Sequence, residues 1–298
     1  MSFSLWTLPA LWIALGTWLL PQQAPTPQQA VDDLLAADRA FSLESAKTTV
    51  ANGLAPMFAA DVIMPMPGGK FAKGLDEVTT ALNANADNVS GRVEWSPIRG
   101  GISADGAQGF TFGFMTLHKA DGTTAPLKYM TYWVKGPDGW RAAAYKRARR
   151  PEGRAATEMM PPSLPITLVK AVTISNAVRQ GLVAAEKAFS DEAQKIGLGP
   201  AFAKFGLSDA VNFGGAANAS YVVGANAIAA LVGAGQPAGG SSVSWSCETP
   251  IVASSGDLGV SIGFIRTNAP AADGSMPPPS PFFTIWRKVN GVWKYIVE

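Results

Sequence analysis

The chain has 298 residues, of which 47% are hydrophobic and 15% charged, so it has ample apolar surface for a core and wholesale disorder is excluded. Net charge is +2, and the one basic cluster, Lys146, Arg147, Arg149 and Arg150, is too short to be a nucleic-acid footprint. A single cysteine (Cys247) rules out an intrachain disulfide, and with a single histidine (His118) a conventional zinc site is not expected.

In chain order, residues 5–20 form an uncharged apolar run, LWTLPALWIALGTWLL, followed by PQQAPTPQQA. Residues 1–30 read as a secretory leader, which implies export to the periplasm; an uncleaved membrane anchor is the alternative. Membrane contact is expected through this leader only. Apolar spacing then predicts an amphipathic helix over residues 30–50 and a short second helix over 54–60 that ends at Asp61. After the MPMPGGK turn a third helix is expected over 74–86. Alternating patterns then predict strands over 91–98, 109–119, 127–135 and 140–147. Residues 151–170 hold Pro151, Pro161, Pro162 and Pro165, which sustain neither a helix nor a central strand, and they read as a linker. A long helix follows over 174–196. Helices first and antiparallel strands after them argue for an α+β domain.

The order is written twice. LLAADRAFS (34–42) matches LVAAEKAFS (182–190), and FAADVIMPMPGG (58–69) faces GLSDAVNFGGAA (206–217). KGLDEVTTAL (73–82) faces VGANAIAALV (223–232), VEWS (93–96) faces VSWS (243–246), and GFTFGFM (109–115) faces GVSIGFI (259–265). TYWVKGPDGW and TIWRKVNGVW close the two copies, each a hairpin with Pro-Asp-Gly or Asn-Gly turn chemistry between paired tryptophans. The expected domains are therefore residues 31–150 and 171–298, joined by the linker.

An initial helix with A-[DE]-[RK]-AF, then F-A-x-D before a Pro/Gly turn, a G-x-x-x-[IV] helix and a closing pair of long strands resembles the NTF2-like superfamily. More narrowly the chain is similar to the SnoaL-like and DUF4440 branch, over residues 31–148 and 176–298. The resemblance implies two cone-shaped domains, each a curved antiparallel sheet on about three N-terminal helices. The cones would admit a small apolar or aromatic ligand, and the copies would pack as the protomers of a homodimer do. It also implies a carboxylate base a few residues beyond Asp61 or Asp209 in isomerase-type members. Those positions fall near Met66 and Gly214, where no carboxylate stands.

Candidate chemistry lies elsewhere. His118 continues a period-two series with Phe112, Phe114 and Thr116, so all share one strand face. Were that face to line the cone, His118 would serve as acid, base or anchor, with Asp38 and Tyr132 as partners. The second copy places Asn268 and Arg266 where His118 and Thr116 stand, so any histidine chemistry belongs to the first copy alone. Asp38 and Glu186 repeat one acidic helix position and read either as cone carboxylates or as exposed charges. Trp95, Phe112, Phe114, Tyr129, Trp133, Glu186, Trp245, Phe264, Arg266 and Trp286 are the candidate ligand-binding residues, the aromatics among them also reading as core. No cofactor motif is present: there is no P-loop and no dinucleotide fingerprint. These observations predict non-catalytic ligand binding, against a lyase, isomerase or dehydratase acting through the first copy, or a structural role with both cones filled.

Overall fold

A computed structural model describes residues 25–214 and 217–298; most of the expected leader lies outside the described residues. In the first domain Pro27 opens α1 (Pro27–Ser45), three residues before the position that apolar spacing indicates. The capping box explains the shift: Thr26 Oγ1 accepts from Gln29 N, and Gln29 Oε1 accepts from Thr26 N at 2.8 Å. Then come α2 (Val50–Leu54), β1 (Phe58–Met66), β2 (Lys70–Lys73), α3 (Leu75–Asn83) and α4 (Ala86–Ser90). Strands β3 (Arg92–Ile102), β4 (Gln108–His118), β5 (Thr124–Gly136) and β6 (Gly139–Arg149) complete it. The second domain repeats the plan with α5 (Asn176–Ile196), α6 (Leu198–Phe205), β7 (Gly206–Asn212), β8 (Val222–Val223) and α7 (Ala225–Gly233). Its last strands are β9 (Val243–Val252), β10 (Leu258–Thr267), β11 (Ser280–Val289) and β12 (Val292–Val297). Among the described residues no helix is long and apolar enough to cross a membrane.

The α+β class is as expected, with three corrections. Each sheet has six strands, in the orders β2-β1-β6-β5-β4-β3 and β8-β7-β12-β11-β10-β9. They are mixed rather than antiparallel, because β1 runs parallel to β6 and β7 parallel to β12. The helix expected over 54–60 breaks early: Pro56 sits in a 3-10 turn over Ala55–Met57, and the chain is extended from Phe58. Asp61 therefore lies within strand β1 and does not end a helix, and its counterpart Asp209 lies within β7.

One face of the first sheet packs on its helices, with Trp95, Met115, Tyr129, Trp133 and Tyr145 meeting Leu34, Val50, Leu54, Val78 and Leu82. The second sheet does the same through Trp286 and Tyr295 against Leu182, Phe189, Phe202 and Ile228. The opposite faces form one shared cluster: Phe110, Phe112, Phe114, Met130 and Tyr132 from the first domain with Val260, Ile262, Phe283, Ile285 and Val297 from the second. Fully burying each such side chain contributes roughly 1.5–3 kcal/mol.

Polar contacts lace the two domains reciprocally. Ser254 Oγ and Ser255 N donate to Asp105 Oδ2 at 2.7 and 3.1 Å, while Ala104 N donates to Asp257 Oδ1 at 3.0 Å, so the β3–β4 and β9–β10 turns hold each other. Arg99, buried in the first sheet, donates to the Asp209 carbonyl at 2.7 Å and pairs with its carboxylate. The chain between the domains follows edge strand β3: Met160 N donates to Ile98 O, Ser163 N to Gly100 O, and Ile102 N to Ser163 O. Arg287 ties the Ser163 hydroxyl and the Ile102 carbonyl to Asp257. An otherwise open strand edge is thereby covered.

Candidate functional site

Each domain buries one carboxyl group between α-helix and sheet. Asp38 on α1 accepts from Trp95 Nε1 at 2.6 Å and from the Tyr129 hydroxyl at 2.7 Å. One turn further along α1, Ser42 Oγ lies 2.7 Å from both the backbone nitrogen and the carbonyl of Trp95. Trp133 Nε1 donates to Thr111 Oγ1 at 2.8 Å. In the second domain Glu186 Oε1 accepts from Trp245 Nε1 at 2.6 Å, and Ser190 Oγ accepts from Trp245 N at 2.9 Å. Glu186 Oε2 accepts from Trp286 Nε1 at 2.9 Å and from Ser261 Oγ. The i, i+4 spacing of acid and serine on one helix face thus clamps one tryptophan at its indole and at its backbone.

Burial raises the Asp38 carboxyl above the usual carboxylate range, against the lowering effect of hydrogen bonds from Trp95 and Tyr129. Burial likewise pushes Glu186 up to about 7, against hydrogen bonds from Ser261, Trp245 and Trp286. Both acids are enclosed, with no exposed surface.

The domains differ in what fills the space beside these acids. In the first, Tyr129, Tyr145 and Met115 are all buried, and the Tyr145 ring lies 5.5 Å from that of Phe58. In the second, strand register puts Phe282 at the place of Tyr129 and Glu298 at that of Tyr145. It also puts Gly206 at the place of Phe58 and Tyr295 at that of Ala142. A Cβ on Gly206 would come within 2.6 Å of the Tyr295 ring, so a bulky ring comes from β12 in this copy and from β1 in the other. Beside Glu298 lies a cavity of about 370 Å³, walled by Leu198, Phe202, Val232, Trp245, Ile265 and Phe282. Its polar groups include Glu298, Asn212 and, from β6 of the first domain, Lys146.

Glu298 Oε1 accepts from Thr284 Oγ1 at 3.3 Å, whereas the buried Oε2 has no partner. Lys146 Nζ sits 4.5 Å from the Phe213 ring centroid and 4.9 Å from that of Phe283.

The three residues expected to act together lie apart. Asp38 is on the helix side of the first sheet. The Tyr132 hydroxyl, on the other side, donates to Gln108 Oε1 at 2.7 Å. His118 is exposed, with Nε2 3.0 Å from Glu94 Oε1. Phe112 and Phe114 pack on Tyr221 of the second domain at 4.8 and 5.4 Å, so the series continued by His118 turns toward the other sheet rather than into the cone. Phe264 packs on Phe71 at 4.9 Å, with Arg266 over its ring and facing Glu248. Trp133 stacks on Phe41 at 5.8 Å. Of the candidate aromatics, Trp245 lines the cavity, with Glu186 hydrogen-bonded to its indole. Cys247 is half-buried, its thiol pushed up to about 12 by burial and by Glu186.

Sequence reasoning missed Lys146, Glu298, Phe202 and Phe282. Their signal was the mismatch of Tyr145 with Glu298 and of Tyr129 with Phe282 when the closing strands are laid over each other. Among the described residues no cluster of three His, Cys, Asp or Glu side chains is placed to hold a metal ion.

No family model matches the chain, and no curated protein matches it. Solved structures resembling part of it include proteins described as NTF2-like or as having a cystatin-like fold. A ketosteroid isomerase-like protein of Erwinia carotovora atroseptica is 18% identical and covers 40% of this chain and 94% of its own, with a TM-score of 0.30. An NTF2-like protein with a cystatin-like fold from Novosphingobium aromaticivorans is 17% identical over 41% of this chain and 81% of its own, with a TM-score of 0.28. An NTF2-like protein of unknown function from Shewanella oneidensis is 13% identical over 41% of this chain and 98% of its own, with a TM-score of 0.30. Likeness at this level carries no activity across, and the strand order described above is this chain's own.

Proposed function

We propose that the protein binds a small, largely apolar or aromatic molecule in the cavity of its second domain, without acting as an isomerase. The carrying observation is an aromatic-walled cavity of about 370 Å³ that holds a buried, unpartnered carboxyl oxygen on Glu298. Ligand sites combine apolar walls with a few polar groups in this way. The absence of a carboxylate at Met66 and at Gly214 supports binding over proton abstraction. An enzyme acting through Asp38, Tyr132 and His118 has less support, since those groups occupy different sides of the first sheet. The packing of the two copies is in keeping with a fused pair of protomers, and the leader adds export to the proposal.

Fluorescence titration with N-phenyl-1-naphthylamine tests the binding reading. The dye is expected to brighten on saturable binding, and Ile265→Trp or Val232→Trp, which fill the cavity, should weaken binding about tenfold or more. Binding unchanged by both substitutions would locate the dye elsewhere and overturn the reading. Fractionation of cells expressing the chain with and without residues 1–24 tests export.

A further inference from the structure

Lys146 crosses from the first domain to line a cavity of the second, and its surroundings set it apart from its neighbour Lys128. The Lys128 ammonium donates to the carbonyls of Phe213 and Ser220, so it serves as a tie between the domains. Among the described residues Lys146 Nζ donates no hydrogen bond and closes no ion pair; it rests only against the Phe213 and Phe283 rings. Glu298 lines the same cavity with its Oε2 unpartnered. An amine without polar protein partners and a carboxyl with a vacant oxygen thus line one largely apolar, partly open cavity. That is the environment in which a lysine acts as a nucleophile.

We propose that Lys146 forms an imine with an aromatic or apolar aldehyde or ketone in this cavity, with Glu298 carrying the protons. The inference rests on the binding reading above and names the ligand's reactive group. The neutral amine attacks the carbonyl carbon, a carbon–nitrogen bond forms, and a proton passes from nitrogen through Glu298 to the oxygen, giving a carbinolamine. Protonation of the hydroxyl by Glu298 lets it leave as water while the carbon–nitrogen double bond forms; loss of the second nitrogen proton restores the acid. Amine and carbonyl thus become imine and water, with no oxidant or reductant.

Charge supports the assignment. Burial lowers the Lys146 ammonium below its ordinary value, only partly opposed by Glu298. Burial also raises the Glu298 carboxyl, partly opposed by Lys146. Both shifts favour the neutral amine and the protonated acid.

The test is reductive trapping on the full chain at neutral pH. Benzaldehyde and sodium cyanoborohydride are added, and modified lysines are located by peptide mass mapping, with glyoxylate as a polar control aldehyde. Lys146 is expected to take one benzyl group about tenfold faster than Lys128 or any exposed lysine. N-phenyl-1-naphthylamine should block the reaction, Glu298→Gln should slow it about tenfold, and glyoxylate should show no preference for Lys146. Labelling spread over exposed lysines, with Lys146 not ahead, overturns the proposal. If the dye still binds in that case and Ile265→Trp still blocks it, the amine chemistry fails while the binding reading stands. If the dye does not bind either, both fail. Lys146→Met, checked for folding by circular dichroism, should lose the benzyl adduct.

Discussion

Glu186→Gln separates the energetic role of the buried acid from its role in packing. The folded carboxyl titrates at about 7, against 4.5 for the ordinary group. Between those values the native state holds a proton that the unfolded chain has released, so stability falls as pH rises through the window. The favourable contribution is complete below about 4.5 and lost above about 7, a difference of about 3 kcal/mol. Glutamine keeps the shape without the charge: one oxygen can accept from Trp245, and Ser261 Oγ already lies 3.1 Å from Trp286 Nε1 as a second acceptor. Urea denaturation of wild type and variant at intervals from pH 4.5 to 8 gives the comparison. The two should agree within about 1 kcal/mol at the acid end, and the variant should lead by about 2–3 kcal/mol at pH 8. Repeating the pair in a Glu298→Gln background isolates Glu186 from its neighbour. Stability profiles that stay parallel across the whole range would refute the reasoning.

Asp38→Ala strands the Trp95 indole and Tyr129 hydroxyl in a sealed interior and should cost about 2–4 kcal/mol in the same denaturation assay. Asp209→Ala should destabilise more than Arg99→Met, because the first leaves a buried guanidinium without its counter-ion while the second leaves an exposed carboxylate in water; paired melting curves check the order. His118→Ala should change stability by no more than about 0.5 kcal/mol and leave dye affinity unchanged, since its pairing with Glu94 is at the surface. Gly113→Ala and Gly263→Ala should each prevent normal expression or lower Tm sharply, because the added Cβ would fall 2.0 Å from Ser96 O and 1.9 Å from Ser246 O.

The duplicated letters were legible because each serves the same local geometry twice. The acid and serine four positions apart, and the tryptophan of VEWS and VSWS, are one clamp; the closing tryptophans meet the same polar centre from another strand. The inward face of β4 was not legible. Both of its faces are apolar, so alternation separates Phe110, Phe112 and Phe114 from Thr111 and Met115 without saying which set meets the helices and which meets another sheet. The early start of β1 was hidden too, since APMFAAD suits a helix until Pro56 and pairing with β6 and β2 decide otherwise. Lys146 and Glu298 went unnoticed because charged residues near strand ends usually face water, and only the packing of the two copies brings them to one cavity.

The exchange of Tyr145 for Glu298 has a consequence for what such a protein can become. When two identical chains pair, every substitution is accommodated twice: a change that hollows one interior hollows both, and the stability lost is doubled. Two copies on one chain are released from that constraint. Here one copy keeps a tyrosine where its sibling carries a glutamate, and the sibling borrows a lysine from across the seam. A tandem chain is open to asymmetry of this kind, and a pair of identical chains is not.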